Sequence, residues 1–250
     1  MKGTGLNLAP MEGPPVQLFV TCLVDALAPA VGRATVAVLE KAGCEVRVPA
    51  GQTCCGQPAH NVGLSNEARR MAETTLDVLD DTEGPIVLPS GSCAAMIVHH
   101  YRELFPTGPQ REQVDRVAAR VRELTQYLID DLGTEMTAIC DGCSVAYHYS
   151  CHGLRQLGLD HQADLLLSDT DRVDLVGDKE CCGFGGLFSV EMPAVSTAIM
   201  DTKLDQIVAS GADTVVGGDV SCLIHIEGGL RRRGSEIQVK HIAELLGDTS

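Results

Sequence analysis

The chain has 250 residues, 44% of them hydrophobic and 21% charged, and a formal net charge of −15. Such a composition excludes disorder as the main state, allows one large or two small buried cores, and sets an acidic surface against nucleic-acid phosphates. No run reaches the roughly 18 apolar residues of a membrane span, and the first residues lack the apolar core of an export signal, so a cytoplasmic location is expected.

Residues 1–15 read as an N-terminal tail. A β-prone run over 16–21 leads into Cys22, and helical patterning follows at 30–42. A strand at 45–48 precedes Cys54-Cys55-Gly56, a helix spans 66–80, and a strand at 85–88 runs into Cys93 and a helix over 94–104. Val114, Val117, Val121, Leu124 and Leu128 recur at helical spacing and predict one amphipathic helix over 112–132 joining two halves. The second half repeats the order. Strands are expected at 144–149, 173–176, 214–217 and 237–240, with helices at 193–209 and 241–246. Cys151 follows the first of these strands, Cys181-Cys182-Gly183 the second and Cys222 the third. Strand–helix alternation implies an α/β protein of two tandem, pseudo-symmetric units with mainly parallel sheets. The division expected is a tail at 1–15, a first repeat at 16–111, a connection at 112–143 and a second repeat at 144–250.

The two halves superpose through their cysteines, at offsets of 129, 127, 127 and 129 residues (22 to 151, 54 to 181, 55 to 182, 93 to 222). Repeats in such register mark an internal duplication. There are 11 cysteines, an odd number, in a chain expected to sit in a reducing compartment, so metal ligation or thiol chemistry is favoured over a disulfide framework. In a parallel sheet, sites form at the C-terminal ends of strands, where Cys22, Cys93, Cys151 and Cys222 are predicted to lie. Adjacent cysteines diverge along the chain, which suits several irons of one cluster better than a single zinc ion. The following glycine allows a positive φ and a close backbone approach.

The segments Cys54-Cys55-Gly56-Gln57-Pro58, Cys181-Cys182-Gly183-Phe184-Gly185-Gly186, Tyr147–His152 and Ser221–Ile226 resemble the duplicated cysteine-rich CCG domain. That domain is shared by one of the heterodisulfide reductase subunits, a glycerol-3-phosphate dehydrogenase subunit and the lactate-utilisation protein A family. Val48–Ala59 and His241–Leu246 are most similar to the last of these, and the resemblance runs from about Val16 to Leu246. It implies a cytoplasmic iron–sulfur protein that works with two other lactate-utilisation subunits, one of them ferredoxin-like, in oxidising L-lactate to pyruvate. The ligands it implies are Cys22, Cys54, Cys55 and Cys93, then Cys151, Cys181, Cys182 and Cys222, holding one or two clusters of [4Fe–4S] type. The fuller family pattern ends each repeat in Cys-x-x-Cys. Here Ser90 and Asp219 occupy the earlier position, leaving four thiols per half.

Two other functions fit the thiols: a disulfide reductase of heterodisulfide type, against which the missing fifth cysteines count, and a zinc-stabilised scaffold. The remaining candidates have plainer readings. Cys44 reads as a small core residue. Cys140 and Cys143 lie outside the repeat register and read as structural or incidental. His148 and His152, flanking Cys151, are either hydrogen-bond donors to a cluster sulfur or ordinary surface or core histidines. Gly183–Gly186 reads as backbone room beside a cluster, and Arg231–Arg233 as a solvated turn.

Overall fold

The computed structural model describes residues 15–247, so of the expected tail only Pro15 falls within it. Two four-stranded sheets, each wholly parallel, carry the chain. The first contains β1 (Pro15–Leu18), β2 (Glu45–Arg47), β3 (Ile86–Leu88) and β4 (Val121–Glu123) in the order β2-β1-β3-β4. The second contains β5 (Ser144–His148), β6 (Asp171–Arg172), β7 (Thr214–Gly217) and β8 (Gln238–His241) in the order β6-β5-β7-β8. The topologies are the same, and the fold is α/β in two tandem units, as expected. Ile86–Leu88 and Thr214–Gly217 are buried along their whole length, the mark of central parallel strands covered on both faces.

The segment 112–132 is not one linking helix. A helix runs from Pro109 to Arg120, the chain then extends as β4, pairing Ile86 with Val121 and Leu88 with Glu123, and helical structure resumes at Leu124. The break has a local cause. The Glu123 carboxylate accepts the backbone N–H of Thr125 at 2.7 Å and of Gln126 at 3.2 Å, capping the new helix. The fourth strand of the first sheet therefore lies inside the expected connection 112–143. The strand expected at 173–176 starts earlier, at Asp171. After the Val173 N–H bonds to the Val145 carbonyl, the chain leaves the sheet, and Leu175 packs into the core.

The last helix of each unit packs on the other unit. Ile242–Gly247 lies on the helix Pro29–Lys41, burying Leu245 and Leu246 with Val38 and Leu39. The helical stretch Leu124–Asp131 packs on Gln162–Leu166, with Leu124 and Leu128 against Ala163 and Leu166. One hydrophobic core thus runs through both units. Arg231 and Arg232 do not form a turn. They end the helix Val220–Arg232, where cationic side chains complement the helix dipole, and Arg233 pairs with Asp201 and Asp205.

Candidate functional site

In the order β2-β1-β3-β4 the chain reverses direction of travel between β1 and β3. Crevices open at the C-terminal ends of strands at such a switch point. Cys22 starts the helix Cys22–Leu27 after β1, and Cys93 lies in the helix Gly91–Ala95 after β3. The loop after β2 brings Cys54 and Cys55 to the same place. The second unit repeats this with Cys151 after β5, Cys222 after β7, and Cys181 and Cys182 after β6.

All eight in-register cysteines gather into two sets of four. In the first, thiol contacts run from Cys22 to Cys54, to Cys55, to Cys93. In the second they run from Cys151 to Cys181, to Cys182, to Cys222. In each set the neighbouring thiols and a backbone N–H favour the charged form of one sulfur. Hydrogen bonds from the Cys22 and Cys55 thiols, with the Gly56 N–H at 3.4 Å, pull the Cys54 pKa down to about 3. Cys151 and Cys182, with the Gly183 N–H at 3.3 Å, take Cys181 down to about 2. Cys22 and Cys151 are pushed up by the same contacts and by burial.

Backbone shape explains the Cys-Cys-Gly pattern. Gly56 has φ 87° and Gly183 φ 91°, a region that costs other residues about 1–2 kcal/mol. A Cβ on Gly56 would lie 2.9 Å from the Ala68 carbonyl oxygen, and one on Gly183 would lie 2.6 Å from that of Ser196. Thr21, just before Cys22, is β-branched yet has φ 73°, so strain is stored at the entry to the first set.

The first set lines a cavity of about 280 Å³ and the second one of about 40 Å³. The two cavities share walls made by Gln57, Ser92, Phe184, Gly186, Asp219 and Ser221. The Gly183–Gly186 segment is thus a partition between the sets.

Around the second set the structure adds two basic groups. His148 is buried, neither ring nitrogen has a hydrogen-bond partner among the described residues, and it lies within 4.8 Å of the Cys182 and Cys222 sulfurs. Burial lowers its pKa to about 3, so it faces the thiols as a neutral imidazole. Lys203, also buried, donates to the Gly177 carbonyl, and burial lowers its pKa. Its position between Met200, Leu204 and Ile207 on the apolar face of the helix Pro193–Ser210 was the available signal, and sequence reasoning missed it. His152 Nδ1 lies 3.5 Å from the Cys151 sulfur. Soft donors gathered four at a time, room beside them, and an orphaned imidazole aimed at two of them fit a thiolate-held metal cluster.

The other cysteines stay apart from both sets. Cys44 is fully buried, its sulfur 3.9 Å from the Tyr127 hydroxyl. Cys140 and Cys143 form a disulfide just ahead of β5, at the opposite end of that strand from Cys151. The pair lies outside both sets, and as a disulfide it departs from the expectation that such bonds are rare here.

Comparison with known proteins agrees with this geometry. The cysteine-rich domain (CCG) family matches residues 16–98 and again residues 145–227. Lactate utilization protein A of Exiguobacterium sp. (strain ATCC BAA-1283 / AT1b) is 44% identical over 240 residues, covering 94% of this chain and 98% of that protein. The protein of the same name from Shouchella clausii is 44% identical over 236 residues, covering 92% and 98%. A hypothetical protein from Helicobacter pylori, known from a crystal structure, shares the fold with a TM-score of 0.66 at 11% identity. The match covers 97% of this chain, which spans half of that one, 50%.

Proposed function

Since the chain belongs to the lactate utilization protein A family and carries its cysteine-rich domain twice, we propose that it is an iron–sulfur electron-transfer subunit of a complex oxidising L-lactate to pyruvate. The observation that carries this reading is the gathering of eight in-register thiols into two adjoining sets at the strand ends. Cys22, Cys54, Cys55 and Cys93 are the ligands in the first unit, and Cys151, Cys181, Cys182 and Cys222 in the second. The group they hold is a [4Fe–4S] cluster, which when bound supplies one-electron transfer. The larger cavity makes the first set the better-supported site. Ser90 and Asp219, at the place of a fifth cysteine, are engaged as helix caps, which supports four-thiol ligation over the five-thiol kind.

Hydride removal from lactate falls in this reading to a partner subunit with its own cofactor. The partners are a ferredoxin-like iron–sulfur protein and a third lactate-utilisation subunit, and the complex works in the cytoplasm. The deciding measurement is iron and acid-labile sulfide in anaerobically prepared protein. About four irons per chain are expected if one set is filled and about eight if both are. Stoichiometric zinc with no iron after anaerobic reconstitution would instead make the chain a zinc scaffold. Turnover of L-lactate should require the partner subunits, and robust turnover by the isolated chain would refute the subunit role.

A further inference from the structure

A third group of ligand-type side chains lies outside both cysteine cavities. His60 is on the short helix Gln57–Asn61 that follows Cys54-Cys55-Gly56, His100 ends a π-helical turn over Met96–His100, and Glu103 is on the next turn. His60 Nε2 lies 3.3 Å from Glu103 Oε2, and His100 Nδ1 lies 3.0 Å from Glu103 Oε1. One ligand atom from each residue falls within 4.8 Å of both others. The two imidazole rings stack at 4.6 Å with a 38° tilt, so both turn a nitrogen to the same carboxylate.

We propose that His60, His100 and Glu103 form a binding site for a divalent first-row transition-metal cation, distinct from the two cysteine sets. Three features support it. Two imidazoles and a carboxylate are the donor set that Zn²⁺ and Fe²⁺ take with coordination positions left open. The histidine side chains are 20% exposed while Glu103 is 61% exposed, which leaves one side free for entry and for water ligands.

The third feature is the outer hydrogen bond. His100 Nε2 lies 3.3 Å from Gln156 Oε1. A neutral imidazole that donates Nε2–H to that oxygen presents the lone pair of Nδ1, 3.0 Å from Glu103 Oε1, as a metal donor on the carboxylate side. Such a second bond on the far nitrogen is the usual way a ligating histidine is oriented. π-Helical insertions recur at functional sites, and this one presents His100. The cation would clamp together the chain after Cys55 and the chain after Cys93, two of the three segments that build the first thiol set.

The test is Zn²⁺ binding to the anaerobically prepared full chain, followed by equilibrium dialysis and metal analysis. Wild type is compared with a His60→Ala/His100→Ala double variant and with Glu103→Gln, which keeps size and hydrogen bonding. Circular dichroism checks that each variant is folded. The double variant should hold one zinc fewer per chain than wild type, and Glu103→Gln should weaken that zinc by about tenfold or more. Cys182→Ser should keep the histidine-bound zinc, separating this site from the thiols. If either folded histidine-site variant retains the zinc stoichiometry and affinity of wild type, the three residues are only a hydrogen-bonded cluster and the proposal falls.

Discussion

The Ser90 hydroxyl donates a hydrogen bond to the Asp219 carboxylate, 3.2 Å away, joining two residues that hold the same position in the two repeats. Each caps the helix that carries the last cysteine of its unit, and Asp219 caps both. Its Oδ1 accepts from the Ser221 N–H at 3.1 Å, and its Oδ2 accepts from the Ser92 N–H of the other unit at 2.8 Å. One buried carboxylate thus fixes two cysteine-bearing helices relative to each other.

Replacing Asp219 by Ala should therefore cost more than an ordinary cap. Two helix N–H groups lose their acceptor in a buried place, for about 2–4 kcal/mol in total. Ser90→Ala should cost about 1 kcal/mol, since it removes one cap and leaves the carboxylate in place. Thermal midpoints of the two variants should fall in that order, and an unchanged midpoint for Asp219→Ala would contradict the shared-cap role.

Gly183→Ala should destabilise by more than Gly211→Ala. Both glycines have positive φ, 91° and 71°, so both substitutions carry about 1–2 kcal/mol of backbone strain. A Cβ at Gly211 would meet nothing within 4 Å, whereas one at Gly183 would meet the Ser196 carbonyl oxygen at 2.6 Å. Denaturation midpoints give the comparison. Iron content should fall only in Gly183→Ala, because only that clash moves the Cys181–Cys182 loop.

Glu123 and His241 end β4 and β8, equivalent strands, and burial shifts them in opposite senses. Desolvation raises Glu123 from 4.5 to about 7 and lowers His241 from 6.5 to about 4. Folding favours the protonated carboxyl, so the stability from Glu123 is full below about pH 4.5 and lost as pH rises through 7. Folding also favours the neutral imidazole, so the stability from His241 is present above pH 6.5 and lost as pH falls towards 4. Each contribution is at most about 3 kcal/mol. In urea unfolding at a series of pH values, Glu123→Gln should abolish the loss towards pH 8, and His241→Asn the loss towards pH 4. Unchanged pH profiles would show that neither group is held in its neutral form.

Cysteine substitutions should split into two classes. Cys182→Ser replaces a soft thiolate by a hard oxygen and should release the iron of the second set, loosening that unit locally. Cys44→Ala should keep the iron and cost about 1 kcal/mol of packing, because its neighbour is the Tyr127 hydroxyl and not a ligand set. Cys140→Ser should also keep the iron. Iron loss in Cys140→Ser as severe as in Cys182→Ser would overturn the ligand assignment of the second unit.

The sequence by itself determined the duplication, the parallel α/β class and the eight thiols that come together, because each is written in local periodicity or in a fixed offset. The run Ile86–Leu88 followed a few residues on by Cys93 is legible without any partner. It did not reveal β4, since three residues are too few to display alternation and Val121 also fits the helical spacing around it. Nor did it show that Asp219 reaches Ser92, that His148 and Lys203 stand beside the second set, or that His60 meets Glu103. Those pairs join chain segments tens of residues apart: His60 meets Glu103 within the first unit, His148 and Lys203 reach the thiols within the second, and Asp219 reaches Ser92 only because the two units pack together. Packing also decided that the first set has about 280 Å³ beside it and the second about 40 Å³. The two repeats share a cysteine register, but the side chains filling the space around each set differ, and only the folded core brings those side chains into place.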